Sequence, residues 1–221
     1  MTQRTNNFVK RQISTLSARL FITIMLLLLS GNVMAYEEPK YQVIEKSGTF
    51  ELRAYSPVIV AETLVDGSMD EAGKKGFRLI AGYIFGNNKS NLGGSEKISM
   101  TVPVVMAPKS EKISMTVPIS MQGNAGKWRM YFVMPSKYTL DTLPVPNNSA
   151  VKLREVPAKN YAVLLFSGSS SEEKIAKKTE ELLSWLQAKQ IKPSGSPELA
   201  RYNAPWTLPF LRRNEVMVEY E

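Results

Sequence analysis

The sequence predicts an α+β domain in which two helices cover a largely antiparallel sheet. Short runs that alternate polar and apolar residues, such as residues 49–55, are typical of strands. Two longer runs, which begin near Ser68 and Ser171, repeat their apolar residues with the helical period. The elements follow one another as strands, helix, strands, strands, helix and strands, which indicates a domain of two similar halves.

The strands are predicted from period-two runs and from the turn residues between them. Ser47-Gly48 separates the first two runs and favours a hairpin, and a third run, residues 58–65, ends before Asp66-Gly67. The segment after residue 197 is aromatic and broken by prolines, and it ends in a final strand. Further strands are predicted at residues 127–135, 150–156, 160–168 and 215–220.

Both helices carry recognisable start signals. Ser68 with Glu71 three residues later matches a capping box, and Glu172 and Glu173 at the start of the second helix suit its dipole. The apolar stripe of the second helix is predicted to be Ile175, Leu182, Leu183 and Leu186.

The first helix contains three glycines, Gly73, Gly76 and Gly82, each of which weakens a helix by about 1 kcal/mol relative to alanine. Glycines at such a cost indicate that something approaches this helix closely. Two accounts stay open, namely tight packing of the helix onto the sheet and contact with a ligand.

A short sequence occurs twice in tandem. SEKISMTVP fills residues 95–103 and again residues 110–118, so that the copies are 15 residues apart (110 minus 95). The unit is too short for a solenoid repeat. Its Ile, Val and Thr content predicts two successive extended segments.

The N-terminus predicts a signal peptide, residues 1–35. Four basic residues and no acidic residue precede the apolar run of residues 21–29, and this order is typical of export signals. Small residues up to Ala35 fit a cleavage site, so the mature chain is expected to begin at Tyr36 and to be periplasmic or secreted. The alternative is an uncleaved membrane anchor formed by residues 20–35.

Composition excludes much chemistry. The sequence contains neither Cys nor His, which excludes disulfides, Ser-His and Cys-His catalysis, zinc sites built on those residues and a histidine pH switch. The net charge of +8 falls to +4 once the four basic residues of the leader are removed, and no basic cluster with interleaved aromatic residues indicates a nucleic-acid interface. Adjacent acidic pairs such as Glu37-Glu38 are ordinary surface residues, so no enzyme is expected.

Five motifs follow one another along the chain: VDGSMDEAGKKGFRLIAGYIFGNN, KISMTVPV, WRMYFVMP with LPVPN, FSG, and RYNAPWTLPFLRRNEV. In these motifs the chain resembles the SOUL heme-binding proteins over essentially all of residues 36–221, and some members also carry the KISMTVP motif twice. The resemblance implies a distorted, β-barrel-like antiparallel sheet, built from two βαββ-type repeats and flanked by two helices, similar to the effector-binding domains of bacterial regulators.

Members of this family bind heme or another porphyrin in a shallow apolar cleft beside the first helix, walled by the proline-rich segment near the C-terminus. The resemblance implies that Lys74 and Arg78 pair with the propionates while two apolar walls contact the macrocycle. The first wall would be Phe77, Ile80, Ala81 and Ile84, and the second would be Tyr202, Trp206, Leu208 and Phe210.

The same residues admit structural roles. Lys74 and Arg78 would then form a solvated helix edge, and Trp206 and Phe210 would cap the core beneath the second helix. The Arg-Arg pair that follows would belong to a turn and pair with Glu215 or a neighbouring carboxylate.

The chain departs from the family pattern in two ways. Some members ligate iron through a histidine, which is absent here, and Leu208 stands where some members carry a basic residue facing a propionate. Met100, Met115, Tyr83 and Tyr202 are chemically suitable axial ligands, although methionine among Ile, Val and Pro is usually core. Binding by shape and propionate pairing, without a histidine–iron bond, is therefore expected.

The predicted function is reversible binding of heme or another tetrapyrrole by a monomeric, non-enzymatic exported protein. No nucleic-acid partner is expected, and membrane contact is expected only through an uncleaved leader. The alternative is an envelope interaction protein whose same cleft receives a lipid, a peptide or a protein partner.

Overall fold

The computed structural model describes residues 36–108 and 126–221. The predicted signal peptide and the second SEKISMTVP copy lie outside these residues. Within the described chain the helices are α1 (Met69–Ile84) and α2 (Glu172–Ala188). The strands are β1 (Tyr41–Ser47), β2 (Phe50–Tyr55), β3 (Val58–Asp66), β4 (Asn88–Lys89), β5 (Val104–Pro108), β6 (Lys127–Val133), β7 (Val145–Pro146), β8 (Lys152–Val156), β9 (Lys159–Phe166), β10 (Glu198–Arg201) and β11 (Asn214–Glu219).

Nine of the described strands form one sheet in the order β1-β2-β9-β11-β10-β5-β6-β3-β8, and every neighbouring pair is antiparallel. The chain runs β3-α1-β5-β6 in one half and β9-α2-β10-β11 in the other, and the two βαββ units meet where β5 pairs with β10. The curled sheet, flanked by the two helices, confirms the predicted α+β fold.

Both helices begin where the sequence predicts. At α1, the Ser68 side chain accepts a hydrogen bond from the Glu71 backbone, and the Glu71 carboxylate accepts one from the Ser68 backbone at 3.1 Å. At α2, Ser171 is the N-cap. Local hydrogen-bonding rules therefore fix the start of each helix.

The glycines of α1 have different roles. A Cβ added at Gly76 would lie 2.9 Å from Met130 Sδ and 3.2 Å from Met130 Cβ, whereas a Cβ at Gly82 would meet nothing within 4 Å. Gly76 therefore serves tight packing of the helix onto the sheet. Gly73 instead faces Arg201, whose Nη1 would lie 3.9 Å from the added Cβ.

The two faces of the sheet bury different side chains. The face beneath the helices is apolar and carries Ala61, Met130 and Phe132 together with the buried side of α1. The inner face of the curl holds a smaller apolar cluster that includes Tyr161 and Tyr202. Buried charged residues also occur in the described chain, including Glu51, Arg53, Glu198 and Glu215.

Two details differ from the predicted elements. Residues 198–201 form β10, although the prolines that follow predict an irregular segment there. The first SEKISMTVP copy forms no strand, and Thr101 makes an isolated β-bridge with Glu37. Pairing with distant partners decided the position of β10, which is held between β11 and β5. Neither of the described helices is long and apolar enough to cross a membrane.

Candidate functional site

A row of three side chains crosses the middle of the sheet on the helix side. Arg201 of β10 pairs with Val104 of β5, and Val104 pairs with Phe132 of β6. Residues directly opposite in antiparallel strands share a face, so these three form one surface. Phe77 of α1 lies above the end of this row, with its ring centroid 5.6 Å from that of Phe132. The row therefore links Arg201 to the exposed edge of α1.

Arg201 is a partly buried cation without a hydrogen-bond or ion-pair partner among the described residues. Its Nε is buried and makes no hydrogen bond, and its guanidinium forms no ion pair with any described carboxylate. Burial lowers the pKa of Arg201, and nearby Arg212 lowers it further, while Asp70 acts in the opposite direction. Since buried charges in proteins are normally paired, this guanidinium is poised to receive an anion.

The segment between β10 and β11 is braced by its own backbone and by Arg212. Arg212 Nε donates to Thr207 O and its Nη2 donates to Pro205 O, each at 2.7 Å. The Gly168 N–H donates to Pro209 O at 2.8 Å, which ties the segment to the chain after β9. Arg212 thus holds this segment beside Arg201.

Large apolar side chains project from the braced segment into solvent. Among the described residues they include some of the most exposed: Trp206 at 86%, Leu208 at 56%, Phe210 at 70% and Leu211 at 62%. The alternative in which Trp206 and Phe210 cap the core is therefore wrong. Three residues of the predicted second wall, Trp206, Leu208 and Phe210, instead lie together on one surface loop.

The residues predicted on α1 divide into two groups. Phe77, Lys74 and Arg78 are exposed, and Lys74 pairs with Asp70 at 2.6 Å. Ile80, Ala81 and Ile84 are buried in the core, because they lie on the stripe of α1 that packs on the sheet. Only the exposed group lines an open surface. Ligand contact by residues of either group remains a prediction.

Tyr202 lies on the other side of the sheet from Phe77. It belongs to the inner-face cluster, and its hydroxyl donates to Glu215 Oε2 at 2.8 Å. Burial, followed by the charge of Glu215, raises the pKa of Tyr202. The structure therefore does not bring Tyr202 together with the rest of the predicted second wall.

The inner face holds a network around another arginine, Arg53, which is fully buried. Its Nη1 and Nη2 donate to the two oxygens of Glu215 at 3.0 and 3.2 Å, and its Nε donates to Glu51 at 2.8 Å. Burial by itself would lower the pKa of Arg53, but Glu215 and Tyr55 raise it by more, so the pKa lies above its usual value. Every donor nitrogen of this guanidinium thus has a partner, which is typical of a structural ion pair.

Arg213 takes the structural role that was open for the Arg-Arg-Asn-Glu segment, although the segment is not a turn, because Asn214 and Glu215 already belong to β11. Arg213 Nε and Nη2 donate to Glu215 Oε1 at 3.0 and 2.9 Å, and its Nη1 also pairs with Glu38 at 3.1 Å. Its guanidinium carbon lies 3.7 Å from the centroid of the Tyr202 ring. Arg213 therefore closes the inner-face network.

A separate cavity of about 710 Å³ lies under the N-terminal residues of the described chain. Its apolar lining comes from Val, Ile, Met and Pro residues, and its charged lining consists of Glu37, Glu38, Glu155 and Lys40. Three carboxylates against one ammonium disfavour a dianionic ligand. None of the predicted ligand residues lines this cavity.

Most candidate axial ligands are already engaged. The Tyr83 hydroxyl donates to Pro144 O at 2.9 Å, and the Tyr202 hydroxyl is held by Glu215. Met100 packs against the core, and Met115 lies outside the described residues. The described chain also contains no group of three or more acidic residues suited to a metal ion.

Sequence reasoning did not single out Arg201, although a signal for it exists. Leu199 and Arg201 are two residues apart, so a strand at this position puts both on the same face. Leu199 belongs to the core beneath the helices, so an arginine on the same face at the end of the strand lies beside α1. Recognising this required knowing that β10 exists.

Solved structures share the fold at low sequence identity. The C-terminal domain of EcmrR aligns with a TM-score of 0.56 and 12% identity over 82% of this chain and 98% of that chain. EcmrR in a DNA complex aligns with a TM-score of 0.56 and 12% identity over 99% of this chain and 70% of that chain. A hydrolase from Listeria innocua aligns with a TM-score of 0.53 and 11% identity over 80% of this chain and 94% of that chain.

The family comparison agrees with the motifs. No curated protein sequence matches the chain. The model of the family described as SOUL heme-binding protein matches residues 36–219. This match covers both βαββ units, the edge of α1 that bears Phe77, and the braced segment beside Arg201, and the chain therefore belongs to the SOUL heme-binding protein family.

Proposed function

We propose that this protein binds heme or a related porphyrin, as a non-enzymatic exported carrier, in the cleft between the exposed edge of α1 and the braced segment, residues 204–212. The family membership supports a tetrapyrrole ligand. The observation that carries the choice of site is the Nε of Arg201, which is buried and has no hydrogen-bond partner among the described residues, at the end of the strand that leads into the braced segment.

The residues of the cleft fit the chemistry of the ligand. A porphyrin is a flat apolar disc that bears two carboxylates, and it needs apolar surface with a few cations at its edge. Phe77, Leu208 and Phe210 supply exposed apolar surface, while Arg201 supplies a desolvated cation and Arg78 a solvated one. A carboxylate that reaches Arg201 would gain a charge-assisted hydrogen bond.

The cavity under the N-terminal residues is a poorer site for the same ligand. It has ample volume, but its carboxylates would repel the propionates, and only Lys40 opposes them among its lining residues. Charge therefore favours the cleft, where Arg201 and Arg212 are neighbours and Asp70 is already paired with Lys74.

Iron ligation is not needed for this mode of binding. The chain has no histidine or cysteine, and the hydroxyls of Tyr83 and Tyr202 already make hydrogen bonds. The metal-free macrocycle keeps both the apolar disc and the two carboxylates, so shape and charge favour it as much as heme.

Carriage also fits the predicted location. A periplasmic or secreted protein that binds reversibly, without a catalytic constellation, would sequester or deliver a ligand met outside the cytoplasm. The leader and its cleavage before Tyr36 are part of this proposal.

Titration of residues 36–221, which form one compact unit, with hemin and with metal-free protoporphyrin tests the proposal. Saturable binding of both at comparable affinity is expected, and Phe77→Ser should weaken both. Val43→Ser changes an exposed apolar residue on the edge strand β1 and serves as the matched control. Absence of saturable binding to either compound would overturn the proposal, and a co-purifying fatty acyl species found by mass spectrometry would favour the lipid alternative.

A further inference from the structure

The apolar tip, defined as Trp206, Leu208, Phe210 and Leu211, is more than a wall for a ligand. Each of these side chains is more than half exposed, and all lie within six consecutive positions. These side chains are exposed to solvent rather than packed into the core. Contiguous exposed apolar surface of this kind marks an interaction site.

Several backbone polar groups of the tip segment already have hydrogen-bond partners within the segment. Pro205 and Pro209 have no N–H, and the N–H groups of Thr207, Leu211 and Arg212 bond to carbonyls within the segment. Arg212 also covers the carbonyls of Pro205 and Thr207. Since unsatisfied backbone groups are costly where water is scarce, this bracing removes part of the penalty for entering such a medium.

Cations lie close to the tip. Arg201 has no partner among the described residues. Lys174 donates to Ser167 O at 2.8 Å, beside the Gly168 N–H that holds Pro209. Basic residues next to an apolar segment complement the anionic headgroups of a membrane surface.

We propose that the apolar tip inserts into the interfacial region of an anionic lipid bilayer. Trp is favoured at that depth because its ring is apolar and its N–H is polar. A bilayer interface can receive exposed apolar side chains without a preformed pocket, whereas a protein partner would have to provide a matching groove. The cleft beside Arg201 would then open at the lipid surface, but docking itself does not depend on porphyrin binding.

Vesicle partitioning of residues 36–221 in the absence of any porphyrin tests this inference. The probes are vesicles of phosphatidylcholine mixed with phosphatidylglycerol, and vesicles of phosphatidylcholine alone. The protein is expected to bind the mixed vesicles, and Trp206→Ser combined with Phe210→Ser should weaken binding at least about tenfold, because affinity scales with the apolar area that is buried.

Two further variants make the result decisive. Ile44→Ser combined with Val145→Ser removes two apolar side chains elsewhere that are also more than half exposed and should leave partitioning unchanged. In the wild type, vesicle binding should shift the tryptophan fluorescence to the blue as Trp206 leaves water. Trp206→Phe should still bind but should show no such shift, because the chain's other tryptophans, Trp128 and Trp185, are buried or half-buried. Equal partitioning of the wild type and the tip double variant, or no vesicle binding, would overturn the inference. Concentration-dependent dimers that the tip double variant abolishes, without vesicle binding, would assign the tip to a second copy of the chain and would also overturn it.

Discussion

Two arginines on opposite faces of one sheet, the buried Arg53 and the partly buried Arg201, have opposite surroundings. Arg53, on the inner face, has carboxylate or phenol partners for its donor nitrogens, and these raise its pKa despite burial. Arg201, on the helix face, has an unpartnered Nε, and burial lowers its pKa. A cation that folding has already paired stabilises the fold, whereas a cation left without a partner is available to an external anion.

The largest contrast is expected in stability. Arg53→Met should lower the free energy of unfolding by about 3–5 kcal/mol, because it leaves the buried carboxylates of Glu51 and Glu215 short of a counter-charge. Arg201→Met keeps the apolar stem and removes only an unpaired charge, so it should change stability by less than about 1 kcal/mol. Chemical denaturation of both variants measures the difference. Equal losses would mean that Arg201 is as firmly built into the fold as Arg53.

The helix side of the comparison depends on how closely α1 lies on the sheet. Gly76→Ala should destabilise by about 1–3 kcal/mol, because its Cβ would meet Met130 Sδ at 2.9 Å. Gly82→Ala, with nothing within 4 Å, should instead stabilise by up to about 1 kcal/mol through helix propensity. Thermal unfolding of the pair checks the sign, and a stabilising Gly76→Ala would show that α1 is not tightly seated.

The smallest expected effect is in the pH dependence of stability. Burial raises the pKa of Glu51, but hydrogen bonds from Lys46 and Arg53 outweigh it, so that the folded-state pKa lies below 4.5. A depressed carboxyl pKa contributes stability above the unfolded-state value and loses it as the pH falls through the folded-state value. Wild type should therefore lose more stability than Glu51→Gln below about pH 4.5. Arg201→Met should follow the wild-type profile, and a profile like that of Glu51→Gln would contradict the separation of the two faces.

Local sequence rules predicted the parts of the fold that short-range contacts decide. Ser68 with Glu71 and Ser171 mark helix starts because their capping partners lie within one turn. The strand predicted at residues 127–135 likewise corresponds to β6.

Long-range pairing decides what the sequence did not predict. Glu51 and Arg53 alternate with apolar residues as they would on a solvated strand, yet both are buried because Glu215 lies across the sheet. Tyr202 likewise makes a hydrogen bond to this distant carboxylate, so it lies on the inner face and not with the rest of the predicted wall. Arg201 was missed because β10 is recognisable only from its neighbours, β11 and β5.

The most direct test of the cleft compares metal-free protoporphyrin with its dimethyl ester, for wild type and Arg201→Met. Wild type should bind the free acid at least about tenfold more tightly than the ester, since tenfold corresponds to about 1.4 kcal/mol and a charge-assisted hydrogen bond supplies that much. Arg201→Met should lose this preference, because it should weaken binding of the free acid only. Arg154 lies on the edge strand β8 and is already paired with Glu62, so Arg154→Met should retain the preference. Undiminished binding of the free acid by Arg201→Met would contradict the assignment of Arg201 to the ligand.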